Sequence, residues 1–243
     1  NHWRLVGVEM RMKTLTRMAQ NVICASSWFR ARAAGQHTVL LPFVLDTTRP
    51  QWRRGPVPDP TQPVHLVYSG SPGKRLHKDH LPVMIESLAR LAEEGRDFRV
   101  SVAGISKEQY LQAMPRHRAQ LGNLGDRIRF IGQVHHSKSL SLLRSADFSV
   151  FFRKPNRVTN TGFPTKFVEA LTLGVPVISN PTSDISLYLR DGENGIMARS
   201  VAAGDVDDAL RRAIGLTPEQ RAAMVTECRA ENPFDISAWQ GEA

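Results

Sequence analysis

Long apolar runs are missing from this 243-residue chain. Nothing approaches the roughly 18 consecutive apolar residues of a membrane-crossing helix, so no stretch reads as one. Cysteine is scarce too. Cys24 and Cys228 lie far apart and form no CxxC pair, which excludes a disulfide framework or a zinc ribbon and suits a reducing, cytoplasmic setting. Each reads as an ordinary thiol. Aromatics make up only 7% of the chain, and none are interleaved with basic residues in an RNA- or DNA-binding motif, so nucleic acid is not an expected partner. There is no internal repeat, no low-complexity tract and no Ser-His-Asp or Cys-His constellation in the order of residues. The first residue is Asn rather than Met, which reads as a processed, truncated or engineered end.

What is present is enough hydrophobic content, 41%, for the core of one large or two small domains. The net charge of +9 is uneven: residues 1 to 60 carry nine Lys or Arg against Glu9, Asp46 and Asp59. Scattered arginines on solvated helix faces are the commoner meaning of such an excess. It also permits peripheral association with an anionic membrane.

Along the chain, strands and helices alternate. A helix is expected around Glu9 to Ala19, a strand at Val22 to Ala25, a short helix to Ala34 and a strand at Thr38 to Phe43. Five prolines between Arg49 and Pro63 then forbid a helix or a central strand and mark a linker. From Val64 the pattern is regular. Strands are expected at Val64 to Tyr68, Phe98 to Ala103, Ile128 to Ile131, Phe148 to Phe152, Val175 to Ser179 and Ile196 to Ala198. Helices are expected at about Asp79 to Glu94, with Asp79 as N-cap, at Lys107 to Leu121, Ser137 to Ser145, near Ile185 to Leu189, at Val206 to Ile214 and at Pro218 to Arg229. The fold class that follows is α/β: a Rossmann-like parallel sheet with helices on both faces.

In such sheets ligands bind at the carboxyl ends of the strands, and those loops hold the unusual residues. The loop after the first strand of the series, SGSPGKRLHKD, offers Gly70, Ser71 and Gly73 with Lys74, Arg75 and Lys78, so that amides and cations converge on a phosphate. It lacks the spacing of a GxGxxG or Walker loop, and a solvated basic turn is its bland alternative. The stretch NTGFPTKFVEALTLGVPVISN, Asn160 to Asn180, reads as loop, helix and strand. Pro164 suits the first helical position, leaving the amides of Thr165, Lys166 and Phe167 as an anion site. Lys166 and Glu169 lie one turn apart and can face one ligand. His135 and His136 read as polar loop residues, since a metal site would need further ligands. Asp205 and Asp207 read as helix-start residues before they read as a Mg²⁺ pair.

Five blocks, LVYSGSPGKRLHKD, RIRFIGQV, LLRSADFSVFFR, NTGFPTKFVEALTLGVPVIS and LYLRDGENGIMA, resemble in order and spacing the second domain of the retaining glycosyltransferases of family four, which have the two-domain GT-B fold. They span about residues 64 to 199. NVICASSWF and TVLLPFVLD resemble that family's last N-domain unit and hinge. The resemblance implies three parts: 1–62, a remnant of an N-terminal acceptor domain with the interdomain linker; 63–215, a nucleotide-sugar donor-binding domain; and 216–243, a C-terminal helix and tail. It implies transfer of a sugar from a nucleoside-diphosphate sugar to a glycan or lipid-linked acceptor, with retention, with no cofactor or metal, in the cytoplasm or at the inner face of the membrane. The part present is expected to be inactive alone.

Residue by residue, Glu169 matches the second glutamate of the family's pair and would hold the donor ribose, while Lys78, with Lys74 or Arg75, would grip the diphosphate; Lys78 and Glu169 are the residues nearest the chemistry. The donor-binding set is completed by Gly70, Ser71, Val134 at the base, Arg153, and Thr161, Gly162, Phe163, Thr165 and Lys166 at the helix start. Thr161 departs from the pattern, because the family has the first glutamate there. Exchanging a charge-assisted hydrogen bond for a neutral one puts roughly tenfold in donor binding at stake. Two alternatives stay open: a non-catalytic nucleotide-sugar-binding module or partner subunit, and a nucleotide-sugar epimerase or hydrolase of similar fold.

Overall fold

A computed structural model of the chain describes residues 10–11, 14–33, 37–59, 61–73, 76 and 78–239. Of the expected first helix, residues 14–18 are helical and Glu9 lies outside the described residues. Strand β1 (Asn21–Cys24) and strand β2 (His37–Leu40) pair in parallel across the four-residue helix α1 (Ser27–Arg30). Ser26 caps that helix, its hydroxyl accepting from the Phe29 amide at 3.2 Å.

The main sheet has six strands in the order β5-β4-β3-β6-β7-β8, all parallel: β3 (Val64–Ser69), β4 (Phe98–Ala103), β5 (Ile128–Gly132), β6 (Phe148–Val150), β7 (Val177–Ser179) and β8 (Gly195–Met197). Residues such as Leu66, Val67, Tyr68, Val102, Phe148, Val150, Val177 and Ile178 are almost wholly buried, the mark of a sheet covered on both faces. The chain builds outward from β3 to β5, then returns to the other side of β3 with β6. The ends of β3 and β6 therefore flank a switch point, the place where open α/β sheets bind ligands.

Helices α2 (Leu81–Glu93), α3 (Lys107–Ala113), α4 (Arg118–Leu124), α5 (His136–Arg144), α6 (Arg157–Thr161), α7 (Thr165–Thr172), α8 (Ala203–Ile214) and α9 (Pro218–Ala230) fill the connections. The single helix expected over Lys107 to Leu121 is two. Pro115 lacks an N–H and crowds Met114 out of the helical region, to φ −134 and ψ 68, so a 3-10 turn at Pro115–His117 separates α3 from α4. The connection between β6 and α7 contains α6, started by an Asn156–Thr159 capping box.

Two further expectations are corrected. Asp79 does not cap α2; His80 holds that position, in the left-handed region at φ 37, because the Asp79 side chain is turned into the core. Pro164 is the N-cap of α7 rather than its first residue, extended at ψ 112. The buried Phe163 ring, packed on Phe167, Tyr188 and Phe234, keeps the chain extended through Pro164. The Phe167 amide is then taken by the Pro164 carbonyl at 3.0 Å, leaving those of Thr165 and Lys166 outside the helical ladder.

The proline-rich segment is not slack. Arg144 donates to the Arg53 carbonyl at 2.8 Å and also to that of Gln51, Arg229 donates to the Gly55 carbonyl at 2.9 Å, and Trp52 is buried. The tail returns across the molecule: Phe234 fills the aromatic cluster at the start of α7, and Leu45 exchanges backbone bonds with Phe234 and Ile236. Cys24 and Cys228 are buried free thiols, and burial pushes Cys228 up to about 12.

Candidate functional site

The loop leaving β3 turns at Gly70, where φ is +128. Two neighbours press on it. A Cβ on Gly104, itself at φ +111, would lie 2.3 Å from the Gly70 carbonyl oxygen, and a Cβ on Gly70 would lie 3.0 Å from Lys166 Nζ. Only glycine meets both the backbone conformation and the approach. The loops after β3 and β4 and the first turn of α7 thus meet at one point of the strand-end edge. Ser71 and Lys78 are exposed on this loop; Lys74 and Arg75 lie outside the described residues.

Beneath the loop is a buried ion cluster that sequence reasoning missed. Asp79, with no exposed side-chain surface, accepts from Lys166 Nζ at 2.6 Å, Arg153 Nε at 2.7 Å and the Tyr68 hydroxyl at 2.8 Å. Burial alone would raise the Asp79 pKa, but the Lys166 and Arg153 charges outweigh it and hold the carboxyl at about 2. Burial pulls Lys166 down to about 8, against the opposing pull of Asp79. Burial also raises the Tyr68 phenol, with the Asp79 charge adding to it. The Lys166 ammonium lies 4.2 Å from the Tyr68 ring centroid, a favourable cation–π placement. Lys166 and Arg153 therefore stand as a cationic floor under the glycine loop, with Lys166 committed to Asp79 rather than turned outward beside Glu169.

On α7 one turn further on, Glu169 is half-buried and its Oε1 accepts from His136 Nε2 at 3.0 Å. This joins the loop after β5 to the same edge. Val134 is half-buried at the end of that loop. His135 caps α5, its Nδ1 accepting weakly from the Ser137 amide at 3.4 Å. Of the other expected residues, Gly162 and Thr165 are exposed, whereas the Phe163 side chain belongs to the core. Thr161 ends α6 with its hydroxyl donating to the Arg157 carbonyl at 2.6 Å, and its own carbonyl accepts from Ser26 Oγ at 3.0 Å. Asp205 pairs with Arg199 and Ser200, and Asp207 with Arg90 and Arg211.

A doubly wound parallel sheet with glycine turns, cations and a carboxylate gathered at its switch point is the Rossmann-like half of a GT-B glycosyltransferase. Residues 63–216 match the family described as Glycosyl transferases group 1, and the chain belongs to that family. It is 30% identical over 130 residues to the phosphatidyl-myo-inositol mannosyltransferase of Mycobacterium leprae (54% of this chain, 32% of that protein). It is 27% identical over 159 residues to the protein of that name from Mycolicibacterium smegmatis (65% and 38%). The matches thus span about a third of the length of those relatives. Among solved structures, the fold is similar to Anabaena HepE in complex with UDP and glucose (TM-score 0.75, 15% identity, 98% of this chain and 65% of that one). It is similar also to sucrose-phosphate synthase from Thermosynechococcus elongatus (TM-score 0.68, 19% identity, 98% and 59%).

Proposed function

We propose that the edge formed by the loops after β3, β5 and β6 binds a nucleoside-diphosphate sugar, and that the protein of which this chain is the donor-binding part transfers the sugar to a glycan or lipid-linked acceptor. The observation that carries this reading is the convergence of the glycine loop bearing Lys78 and the start of α7 bearing Glu169, in a chain of this family. A leaving diphosphate gathers charge as the glycosidic bond breaks. Lys78, with Lys74 and Arg75, and the amides of Thr165 and Lys166 would stabilise that charge without a metal or other cofactor. Glu169 would take the ribose hydroxyls and Val134 the base, while Gly162 and Thr165 meet the sugar. Retention of configuration, the division at residues 62 and 215, and a cytoplasmic site at the membrane's inner face belong to the same proposal. The lipid in the names of the mycobacterial relatives and the UDP bound to HepE support it.

A second reading, a non-catalytic nucleotide-sugar-binding module, is favoured by Thr161, whose hydroxyl is spent on the Arg157 carbonyl where the resemblance implies a glutamate. Calorimetric titration with UDP-, GDP- and ADP-sugars tests the site. At least one should bind, and Lys78→Ala and Glu169→Ala should each weaken it. Binding by none, or binding indifferent to both substitutions, would overturn the donor reading.

A further inference from the structure

Glu169 does not stand alone at the edge. Its Oε1 is held by His136 Nε2 at 3.0 Å, and because a carboxylate only accepts, Nε2 carries the hydrogen. The His136 ring in turn meets Trp52 edge-on, with centroids 6.2 Å apart and planes at 67°. Trp52 is 6% exposed and closes the 3-10 turn Pro50–Trp52. That turn is fixed to α5 from its far end, where Arg144 donates to the carbonyls on either side of Trp52, those of Gln51 and Arg53. Packing adds to the clamp, since a Cβ on Gly55 would lie 2.9 Å from the Arg144 carbonyl oxygen. Proline-rich segment, first residue of α5 and Glu169 carboxylate thus form one continuous line of contacts.

A carboxylate that takes a vicinal diol must present its oxygens in a set plane, and a glutamate with free rotamers loses entropy when it does so. A single donor on Oε1 removes that freedom without blocking the group, because each carboxylate oxygen accepts more than one hydrogen bond. We propose that His136, backed by Trp52, is a positioning residue for Glu169, and that the site's preference for ribose over 2′-deoxyribose depends on it. This rests on the donor-site reading above.

The test compares UDP, ADP and GDP with their 2′-deoxy counterparts by calorimetry, on the 243-residue chain and its H136A, H136Q, W52A, W52F and E169Q variants. His136 is half exposed on its side chain, at 52%, so its replacement leaves the core intact. The diphosphate contacts are common to both members of each pair, so the ratio of their affinities isolates the sugar. Loss of one hydrogen bond predicts that H136A lowers the ribose preference about fivefold. W52A should lower it in the same direction. H136Q, which keeps an N–H donor, and W52F, which keeps a ring, should retain most of it. An unchanged ratio in H136A overturns the proposal, and so does tighter ribonucleotide binding, which would make His136 a competitor for Glu169. If E169Q and H136A both keep the wild-type ratio while Lys78→Ala weakens binding, the ribose assignment falls and the donor site stands. If the unsubstituted chain binds none of the six, both readings fall.

Discussion

Lys166 and Asp79, 87 residues apart in the chain, meet at 2.6 Å where neither is open to solvent. A buried pair of this kind adds little net stability when whole, because desolvation offsets the attraction. Losing one partner is expensive, since the other charge is left buried. Asp79→Asn should therefore cost about 3 to 5 kcal/mol in urea unfolding, and Tyr68→Phe, which removes only one hydroxyl donor, about 1 kcal/mol. Pairing Asp79→Asn with Lys166→Met should recover a large part of the loss. If Asp79→Asn proves as mild as Tyr68→Phe, the cluster is not what holds the glycine loop to α7.

Acid should unfold the protein in two stages. His117 is fully buried, with Nδ1 2.8 Å from the Tyr110 hydroxyl and Nε2 2.9 Å from Glu86. A neutral ring accepts from the tyrosine hydroxyl and keeps Nε2 beside the Glu86 carboxylate without adding a buried charge. His65 donates from Nδ1 to the Ser145 carbonyl at 3.0 Å and has Nε2 2.9 Å from the Ser101 hydroxyl, which can donate to it when the ring is neutral. Burial lowers both histidines from 6.5, so their contribution is present above 6.5 and is lost as pH falls below it. Asp79 follows: its contribution is full above 3.8 and disappears as pH falls through about 2, a loss on the order of 2 kcal/mol. Chemical unfolding at stepped pH should show both stages, and His117→Gln should shrink the first. A flat profile between pH 7 and 5 would contradict the neutral rings.

How much of this was legible in the sequence can be judged at the same residues. The order of strands and helices follows from periodicity, and the break at Pro115 could have been read from the proline itself. The candidate edge follows from topology once the strands are placed. Asp79 was misleading because an aspartate just before an apolar helical run is the usual sign of an N-cap. The contrary signal was Lys166. In α7 it occupies the same face as Ala170 and Leu173, both buried, and a lysine in a buried stripe demands a carboxylate. Which carboxylate depends on the approach of two distant segments, and no local pattern encodes that. The same holds for His136 on Glu169, where a polar loop histidine acquires its partner only through the tertiary fold.

Two glycines at the strand-end edge should respond oppositely to alanine. At Gly104 the added Cβ would fall 2.3 Å from the Gly70 carbonyl oxygen, a backbone atom, and φ is +111. Both the clash and the conformation are unfavourable, so Gly104→Ala should destabilise by more than about 2 kcal/mol and displace the β3 loop. At Gly162 a Cβ would meet nothing within 4 Å and φ is −104, so Gly162→Ala should be within about 0.5 kcal/mol of the parent or slightly stabilising. Thermal unfolding of the two variants side by side decides it, and equal melting temperatures would contradict the close approach.

The N-terminal unit touches the candidate site through two serines. Asp184 accepts from the Ser27 amide at 2.6 Å and from its hydroxyl at 2.5 Å, while Ser26 Oγ reaches the carbonyl oxygens of Asn160 at 2.6 Å and Thr161 at 3.0 Å. The start of α1 is thus held against the loop after β7 and the end of α6, beside Thr161. Removing the acceptor leaves the Ser27 amide and hydroxyl with nothing to replace it, so Asp184→Ala should cost about 1 to 3 kcal/mol. The cost should appear locally, because the six-stranded sheet does not depend on this contact. Hydrogen exchange should quicken over residues 21–40 and at 157–161 while β3 to β7 keep their protection. Uniformly faster exchange would mean that Asp184 supports the whole fold, and unchanged exchange at residues 21–40 would mean that the serine contacts do not hold the unit. The localised outcome would make these serine contacts what holds residues 21–40 to the end of α6.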